Sequence, residues 1–188
     1  ADRLAGAYGT EVRSADSVFG DVDIEAVFIV SATDTHADLI EVAARAGKQI
    51  FCEKPVDLSV ARVKDCLAVV NTAGVQMMVG FNRRFDPDFV ELRKRIHAGE
   101  IGTLELLTVI SKDPAPPPLK IAEVSGGLFR DMTIHDFDMV RFLMGEEPIA
   151  VSATASCQVD PEIGALSDVD TAVVSLRSAG GKLAVIIN

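Results

Sequence analysis

Phe51-Cys52-Glu53-Lys54-Pro55 closes an apolar run and is soon followed by an amphipathic helical pattern. The stretch is therefore predicted to lie where a buried strand ends, which is where α/β enzymes carry their chemistry. Pro55 disfavours helical geometry in the residue before it, so Lys54 is predicted to be extended and to face what lies over the sheet edge. A lysine beside a carboxylate there can hydrogen-bond a substrate hydroxyl or take part in proton transfer. A solvated Glu–Lys pair before a turn is the alternative, and the tripeptide alone favours it because both residue types are mostly exposed.

The sequence around this stretch predicts strands that alternate with helices. Apolar runs typical of strands cover 26–30, 49–52 and 76–79, and helical periodicity covers 36–46 and 60–72. Strands connected through helices pair in parallel, and such crossovers are nearly always right-handed. The continuous run at 26–30 is also typical of a parallel strand that is covered on both faces. The first part of the chain is therefore predicted to be α/β, with a parallel sheet that is doubly wound or a fragment of one.

After Gly80 the pattern changes to strands that follow one another without intervening helices. Helices are predicted over 87–97 and 128–144, and strands over 104–111, 150–158, 169–177 and 182–187, the last two joined as a hairpin. Consecutive strands of this kind indicate an antiparallel sheet, so the second part is predicted to be an α+β domain with a mainly antiparallel sheet. The boundary near Gly80 gives one domain over 1–80 and another over 81–188.

Local signals predict where several shorter elements begin and end. Val12 is predicted to lie in a short strand, and Ser14 to cap a brief helix. Asp34 or Thr35 is predicted to cap the helix that begins at residue 36. The proline-rich segment 113–118 is predicted to be a rigid, extended loop.

Composition limits the classes of protein to which the chain can belong. Apolar residues make up 48% and charged residues 24% of the 188 residues, which is typical of a folded globular protein with one domain or two small ones. The net charge of −10 is spread along the chain, and no large cluster of lysine and arginine is present. Nucleic acid and anionic membrane are therefore not expected as partners. No apolar run is long enough to cross a membrane.

The cysteines and the two ends of the chain give further expectations. The three cysteines are far apart and lack metal-binding spacing, which is typical of a reducing compartment, so the cytoplasm is the expected location. The chain begins inside a helical pattern and stops in an apolar strand, so both domains are expected to be incomplete.

Asp131 and His135 form the clearest catalytic pair in the sequence. They are four residues apart in the predicted helix over 128–144, so they are expected to lie on one face within reach of each other. A carboxylate beside an imidazole fixes its tautomer and suits it to accept a hydroxyl proton. A solvated pair on a helix surface is an equally good interpretation of this spacing alone. A metal site that includes Asp138 is disfavoured, because a transition metal normally needs further ligands.

Other polar residues follow the predicted strands. Gly80-Phe-Asn-Arg-Arg-Phe-Asp86 places Arg83 and Arg84 beyond a strand end, where they either bind substrate or shape the interdomain hinge, and an Arg–Asp ion pair in the loop is nearly as good an interpretation for Arg83. Asp113 either faces a cleft or begins a turn. The turn after the first strand holds Ser31, Thr33 and His36, whose small hydroxyls would let a flat cofactor lie close to the backbone or would simply cap a helix.

Taken together, three motifs resemble the Gfo/Idh/MocA oxidoreductases. The motifs are Glu53-Lys54-Pro55, Gly80-Phe-Asn-Arg-Arg-Phe-Asp86 and Gly126-Gly-x3-Asp131-x3-His135-Asp136-x-Asp138. The tripeptide is moderately specific, and its combination with the Asp-x3-His helix at this separation is strong. The resemblance covers the whole chain and corresponds to the central part of the family's fold.

This resemblance implies a function and a set of partners. It implies that 1–80 is a partial Rossmann domain, with a doubly wound parallel sheet, that binds a dinucleotide, and that 81–188 binds substrate and forms oligomer contacts. The cofactor would be NAD, with NADP as the alternative, and hydride would leave a ring carbon that bears a hydroxyl. The substrate would be a polyol or sugar, with myo-inositol favoured, and the protein would be a homo-oligomer, either a tetramer or a dimer.

The resemblance also assigns roles to single residues. Lys54 would hold the reacting hydroxyl, His135 would take its proton, and Asp131 would orient and balance both. Substrate contacts would come from Arg84, Asp113, Asp131 and His135. The nicotinamide ribose would be bordered by Ser31, Thr33, His36, Glu53 and Lys54. No metal is expected.

The chain departs from the family pattern at some points. It contains no G-x-G-x-x-G, so the 188 residues alone are expected to bind NAD poorly. Ala32 stands where the family usually has proline. A dehydrogenase of another sugar or of a dihydrodiol, and a non-catalytic ligand-binding relative, remain as alternatives, although the presence of Lys54, Asp131 and His135 together argues against the last of these.

Overall fold

The computed structural model describes residues 1–188, and the chain divides into two compact units, Ala1–Gly80 and Phe81–Asn188. The division lies where the sequence pattern changes. In the first unit strands alternate with helices, in the second they follow one another, and each unit buries its apolar residues in a core of its own.

The first unit is a three-stranded parallel sheet accompanied by four helices. Its strands are β1 (Ala26–Ile29), β2 (Gln49–Cys52) and β3 (Met77–Val79), in the order β1-β2-β3. Its helices are α1 (Asp2–Tyr8), α2 (Ala15–Phe19), α3 (Thr33–Arg45) and α4 (Val60–Ala73). The parallel order confirms the predicted Rossmann-type arrangement of two βαβ units.

The core of the first unit lies between the sheet and its helices. Val27 and Ile29 alternate with Phe28 along β1, and only the first two are buried. Ile40 of α3 is fully buried against this face, and burying such a side chain stabilises the fold by about 1.5 to 3 kcal/mol. The opposite face departs from the predicted two-sided coverage, because Phe28 remains 73% exposed. Its ring contacts that of Phe51, with the centroids 5.0 Å apart.

Two local predictions in the first unit are wrong. Val12 lies in no strand. Helix α3 begins at Thr33 rather than at residue 36, and neither Asp34 nor Thr35 caps it, because Ala32 occupies the N-cap position without a side-chain hydrogen bond. The Thr35 hydroxyl donates instead to Ala32 O at 2.7 Å inside the first turn. The predicted cap at Ser14 is confirmed, since its side chain accepts from Ser17 N.

The second unit contains a four-stranded mixed sheet. Its strands are β4 (Leu106–Ile110), β5 (Pro148–Ser156), β6 (Thr171–Ser178) and β7 (Leu183–Ile187), in the order β4-β7-β6-β5. Its helices are α5 (Pro87–His97), α6 (Leu119–Ser125), α7 (Thr133–Met144) and α8 (Pro161–Ala165), with a 3-10 turn at Asn82–Phe85 and a π turn at Leu128–Met132. The pairs β5/β6 and β6/β7 are antiparallel and β4/β7 is parallel, which confirms a mainly antiparallel sheet.

Helix α7 packs on one face of this sheet and closes the core of the second unit. Val140 and Met144 of the helix meet Val174 of β6 and Ile186 of β7, and all four are at most 2% exposed. The segment that carries Asp131 and His135 is therefore anchored to the sheet by the apolar side of the same helix.

No helix in the structure combines the length and the apolar composition needed to cross a membrane.

Candidate active site

The turns that follow β2 and β3 lie against each other at the carboxyl edge of the first unit's sheet. Glu53 N donates to Ile29 O at 2.9 Å and Gly80 N donates to Cys52 O at 2.7 Å, so the parallel ladder continues one residue beyond the strands. A Cβ on residue 80 would lie 3.0 Å from Glu53 Oε1 and 3.0 Å from the Phe51 ring. Glycine at position 80 thus lets the Glu53 carboxylate lie close to the backbone.

His36 joins the turn after β1 to the turn after β2. Its Nδ1 lies 2.8 Å from Pro55 O and its Nε2 lies 3.0 Å from Ser31 O, and the side chain is only 1% exposed. Both ring nitrogens therefore face backbone carbonyl oxygens of the chain itself. These contacts indicate a positioning role for His36, because they fix the two turns relative to each other, and its predicted place beside the cofactor ribose stays a prediction.

The other residues of the β1 turn are more accessible. Ser31 is exposed and Thr33 is half-buried at the first position of α3. The Ser31 and Thr35 hydroxyl oxygens are 2.6 Å apart, which orders the turn. Small side chains on an ordered backbone leave room for a flat ligand above this edge, so Ser31 and Thr33 stay predicted cofactor contacts.

Lys54 follows β2 and is half-buried, and its peptide bond to Pro55 is cis. The neighbouring Cys52 is fully buried, and burial raises the pKa of its thiol to about 12. The thiol therefore stays protonated at neutral pH, so Cys52 is not a nucleophile for this edge. Lys54 and Glu53 are the charged side chains directly after β2 that can hydrogen-bond a ligand.

The second unit has a cavity of about 310 Å³, within the range of small-molecule sites. Asp113 and Asp131, both predicted to contact substrate, line this cavity together. Polar residues that the sequence did not single out also line it, among them Asp168, Asp170 and Asn188. Arg84 and His135 are not among the lining residues, and Lys54 belongs to the first unit.

Gly127 and Asp168 shape the beginning of the helical segment that carries Asp131 and His135. Leu128 N donates to both carboxylate oxygens of Asp168, at 3.2 and 3.1 Å. Gly127 has φ 79°, and a Cβ there would lie 2.4 Å from Asp168 Oδ1. The glycine is therefore required both by its backbone conformation and by the close approach of the carboxylate. Asp168 in turn supplies the negative charge that a helix N-terminus favours.

The predicted regular helix over 128–144 is wrong in its first turn. Asp131 lies in the π turn Leu128–Met132, whereas His135 lies in α7. A π turn has more residues per turn than an α-helix, so the spacing of four residues does not by itself bring the two side chains together. Such turns are often found at functional sites. Both residues are half-buried, and their proposed pairing stays a prediction.

Asp170 closes another side of the cavity by organising the loop before α8. It accepts hydrogen bonds from Gln158 N, Val159 N and Asp160 N at 2.8, 2.8 and 2.9 Å. Burial acts to raise the pKa of this carboxyl, but the three backbone donors and the Thr171 hydroxyl outweigh it, and the pKa lies well below its ordinary value. Asp170 is therefore ionised and structural.

Arg84, which was predicted to contact substrate, is bound to a carboxylate of its own unit. Its Nε and Nη2 donate to the two oxygens of Asp138, each at 2.7 Å. These two N–H groups of the guanidinium are thus occupied by a carboxylate of the same unit, and a substrate contact by Arg84 stays a prediction. Asp138 is equally committed, and no group of three or more His, Cys, Asp or Glu side chains is arranged to hold a metal ion.

The chain matches sequence profiles for both domains of one family. Residues 1–81 match the oxidoreductase family with an NAD-binding Rossmann fold, GFO_IDH_MocA. Residues 89–188 match the GFO/IDH/MocA C-terminal domain.

Individual relatives agree with these profiles. Inositol 2-dehydrogenase of Rhizobium meliloti (strain 1021) is 56% identical over 188 residues, which is 100% of this chain and 57% of that protein. The crystal structure of a myo-inositol dehydrogenase from Corynebacterium glutamicum ATCC 13032 has a TM-score of 0.92 and 45% identity, over 99% of this chain and 56% of that one. A scyllo-inositol dehydrogenase from Lactobacillus casei, with NAD(H) and scyllo-inositol bound, has a TM-score of 0.86 and 31% identity, over 99% of this chain and 57% of that one.

The chain spans about half the length of the relatives that it matches. Over that span the sequence, the order of the strands and the three motifs all agree with one family. The chain therefore belongs to the Gfo/Idh/MocA oxidoreductases, as its motifs predicted.

Proposed function

We propose that this chain carries the catalytic residues of an NAD-dependent inositol 2-dehydrogenase with myo-inositol as substrate. The observation that carries the proposal is the cavity of the second unit, which Asp113 and Asp131 line together. Carboxylates accept hydrogen bonds, so a pair of them in one small cavity suits a ligand that offers several hydroxyl donors. The 56% identity to an inositol 2-dehydrogenase over the whole chain supports the same substrate class.

The proposed reaction breaks the O–H bond and the ring C–H bond of one alcohol carbon and forms a carbonyl. Lys54 donates a hydrogen bond to the reacting oxygen and holds it in place. His135 accepts the hydroxyl proton at a ring nitrogen, and Asp131 orients the imidazole and balances its charge after the transfer. NAD supplies the acceptor for the hydride that leaves the ring carbon.

The first unit offers features that fit such a cofactor. The carboxyl edge of a parallel sheet is where α/β proteins place dinucleotides, and here that edge has the exposed Ser31 and the close approach of Glu53 to Gly80. We propose that Ser31, Thr33, Glu53 and Lys54 border the nicotinamide ribose. In this proposal His36 acts through the backbone carbonyls of Ser31 and Pro55.

We also propose that the protein is a cytoplasmic homo-oligomer. Support comes from the face of the second unit's sheet that α7 does not cover. There Ile110 of β4 and Val173 of β6 are both opposite Ile187 of β7 and are 66% and 48% exposed, and Leu106 and Leu183 are opposite each other on β4 and β7 and are 57% and 47% exposed. Contiguous exposed apolar side chains of this kind are typical of interfaces.

A substrate panel tests the proposed function. The protein as the cell makes it would be given NAD with myo-inositol, scyllo-inositol, glucose or a cyclic dihydrodiol, and NADH formation followed by absorbance. We expect the highest kcat/KM with myo-inositol. NAD binding without turnover of any polyol would instead indicate a non-catalytic relative, and a preference for glucose or the dihydrodiol would refute the assigned substrate.

A further inference from the structure

Two buried aspartates, Asp136 and Asp138, lie within three residues after His135 on α7. Asp136 is completely buried and Asp138 is 4% exposed, although neither belongs to the proposed catalytic set. A buried carboxylate is unfavourable unless it is paired and hydrogen-bonded. Their presence beside His135 therefore requires partners, and those partners show what the aspartates do.

Each aspartate is held by one of two consecutive arginines in the 3-10 turn Asn82–Phe85. Arg83 Nη1 lies 2.5 Å from Asp136 Oδ1. Arg84 binds both oxygens of Asp138 through two N–H groups, each at 2.7 Å. The two arginine side chains are only about one-third exposed, so solvent screens these pairs less than it screens pairs on the surface.

The Asp136 side of this arrangement continues into the sheet. Asn188 Nδ2 donates to Asp136 Oδ2 at 2.9 Å and to Ser111 O at 3.2 Å. Asn188 Oδ1 accepts from the Thr133 hydroxyl at 2.6 Å. The network thus joins the ends of β4 and β7 to the first residue of α7, and it uses the donors and the acceptor of Asn188.

The two clamped aspartates lie on either side of His135 around the helix axis. With about 100° of rotation per residue, Asp136 is about 100° from His135 in one direction and Asp138 about 60° in the other. A helix held at two such points can neither rotate about its axis nor slide along it. The direction of the side chain between those points is then fixed as well.

We propose that Arg83 and Arg84 are positioning residues that set the direction of His135 by holding Asp136 and Asp138; this inference rests on the proposed function. The arginines act through the aspartates and touch no reacting atom. Proton transfer depends steeply on the placement of the base, so a small rotation of α7 lowers turnover without removing any catalytic group.

A double-mutant cycle tests the proposal in the protein as the cell makes it. Arg84→Lys keeps the charge but loses the two-pronged contact, and Asp138→Asn keeps the shape but loses the charge. We expect each single variant to lower kcat about ten- to a hundredfold with little change in the KM for myo-inositol. The double variant should be no slower than the worse single variant, because residues that act as one unit are not additive.

A direct substrate contact by Arg84 gives a different result and would overturn the proposal. Arg84→Lys would then raise the KM for myo-inositol, whereas Asp138→Asn would leave it and kcat unchanged. A role in stability alone would lower the thermal midpoint while kcat, measured far below that midpoint, stays at the wild-type value, and this outcome also overturns the proposal.

An ion pair outside the network provides the matched control. Glu91 and Arg95 form an exposed pair on α5, with 2.9 Å between Oε1 and Nε. Glu91→Gln should keep the wild-type kcat, and an equal loss in this variant would show that the effect is not specific to α7. Wild-type protein without activity on any inositol would refute the proposed function itself, whereas an active wild type with unaffected Asp138→Asn would refute only this inference.

Discussion

At the scale of single residues, Lys54 and His135 are expected to contribute most to turnover. We predict that Lys54→Met and His135→Ala each lower kcat at least about a hundredfold, because each removes a group that holds the reacting oxygen or accepts its proton. Asp131→Asn should be milder, since the amide keeps one hydrogen bond to orient its partner. Steady-state kinetics with saturating NAD measures these effects.

The control for this series is Lys64→Met, which removes a lysine from the exposed face of α4. It should have wild-type kcat and KM values. Near-normal turnover in both Lys54→Met and His135→Ala would rule out the assigned roles. NAD affinity should change little in His135→Ala, so a large loss there would indicate that this variant has altered the fold.

His36 allows a second prediction at this scale, since its two nitrogens can be replaced one at a time. An asparagine amide can reproduce the Nδ1 contact with Pro55 O, and a glutamine amide can reproduce the Nε2 contact with Ser31 O. We expect His36→Asn and His36→Gln each to lower the free energy of unfolding by about 1 to 3 kcal/mol, because one buried contact is lost. Both should raise the KM for NAD more than the KM for myo-inositol.

Denaturant unfolding and steady-state kinetics check this prediction together. His36→Phe, which fills the space but has no polar atom, should be the most affected variant in both measurements. An unchanged KM for NAD in all three variants would show that His36 stabilises the fold without positioning the proposed cofactor turn.

At the scale of secondary structure, the turn at Gly127 is expected to be intolerant of a side chain. Gly127→Ala combines a positive φ with a contact of 2.4 Å to Asp168. Gly181 in the turn between β6 and β7 has φ 89° but nothing within 4 Å of an added Cβ. Gly181→Ala therefore measures backbone strain alone, of about 1 to 3 kcal/mol.

We predict that Gly127→Ala lowers the free energy of unfolding more than Gly181→Ala does, and that it also lowers kcat. The reason is that Asp168 must move away from Leu128 N, which displaces the π turn that carries Asp131. Thermal or denaturant unfolding gives the first quantity and initial rates give the second. Equal losses of stability and an unchanged kcat would contradict the role given to Asp168.

The sequence predicted the strands well because each is an apolar run bounded by turn residues. It missed α6, which starts directly after the proline segment that was predicted to be only extended. Pro118 at the N-cap is the signal that could have found it, since proline is favoured where a helix begins. The π turn at Leu128–Met132 was missed because the same residues satisfy helical periodicity, and only the contact with Asp168 distinguishes them.

The site was predicted less completely because its contacts join distant parts of the chain. The three motifs identified the family without any coordinates, and Asp113 and Asp131, which line the cavity, were both named from the sequence. The ion pair of Arg84 was not predicted because its partner Asp138 is 54 residues away in sequence, and an arginine beyond a strand end is equally suited to substrate or to carboxylate. Asn188 and Asp168 gave no local signal, since their partners lie far away along the chain.

At the scale of the whole molecule, both units hold carboxylates whose pKa is lowered by ion pairs or hydrogen bonds. In the first unit, hydrogen bonds from Arg62 and then Arg45 lower the pKa of Glu41. In the second unit, a hydrogen bond from Lys182, helped by Ser178, lowers the pKa of Glu146 to about 2 from its ordinary 4.5. These groups remain charged in the folded chain at pH values where the unfolded chain has already bound protons.

We predict that stability is lost in acid through such carboxylates and that Glu146→Gln reveals the share of one of them. A carboxylate with a lowered pKa contributes stability that is fully present above its unfolded-state pKa and is lost as the pH falls through its folded-state value. For Glu146 this window runs from its ordinary 4.5 down to about 2. The gap in urea midpoint between wild type and Glu146→Gln should therefore be widest near neutral pH and close within that window.

Glu123→Gln, on the exposed surface of α6, should follow the wild-type profile throughout. A gap of the same size at every pH would mean that the loss in Glu146→Gln comes from altered packing, and that the ion pair with Lys182 does not link folding to protons.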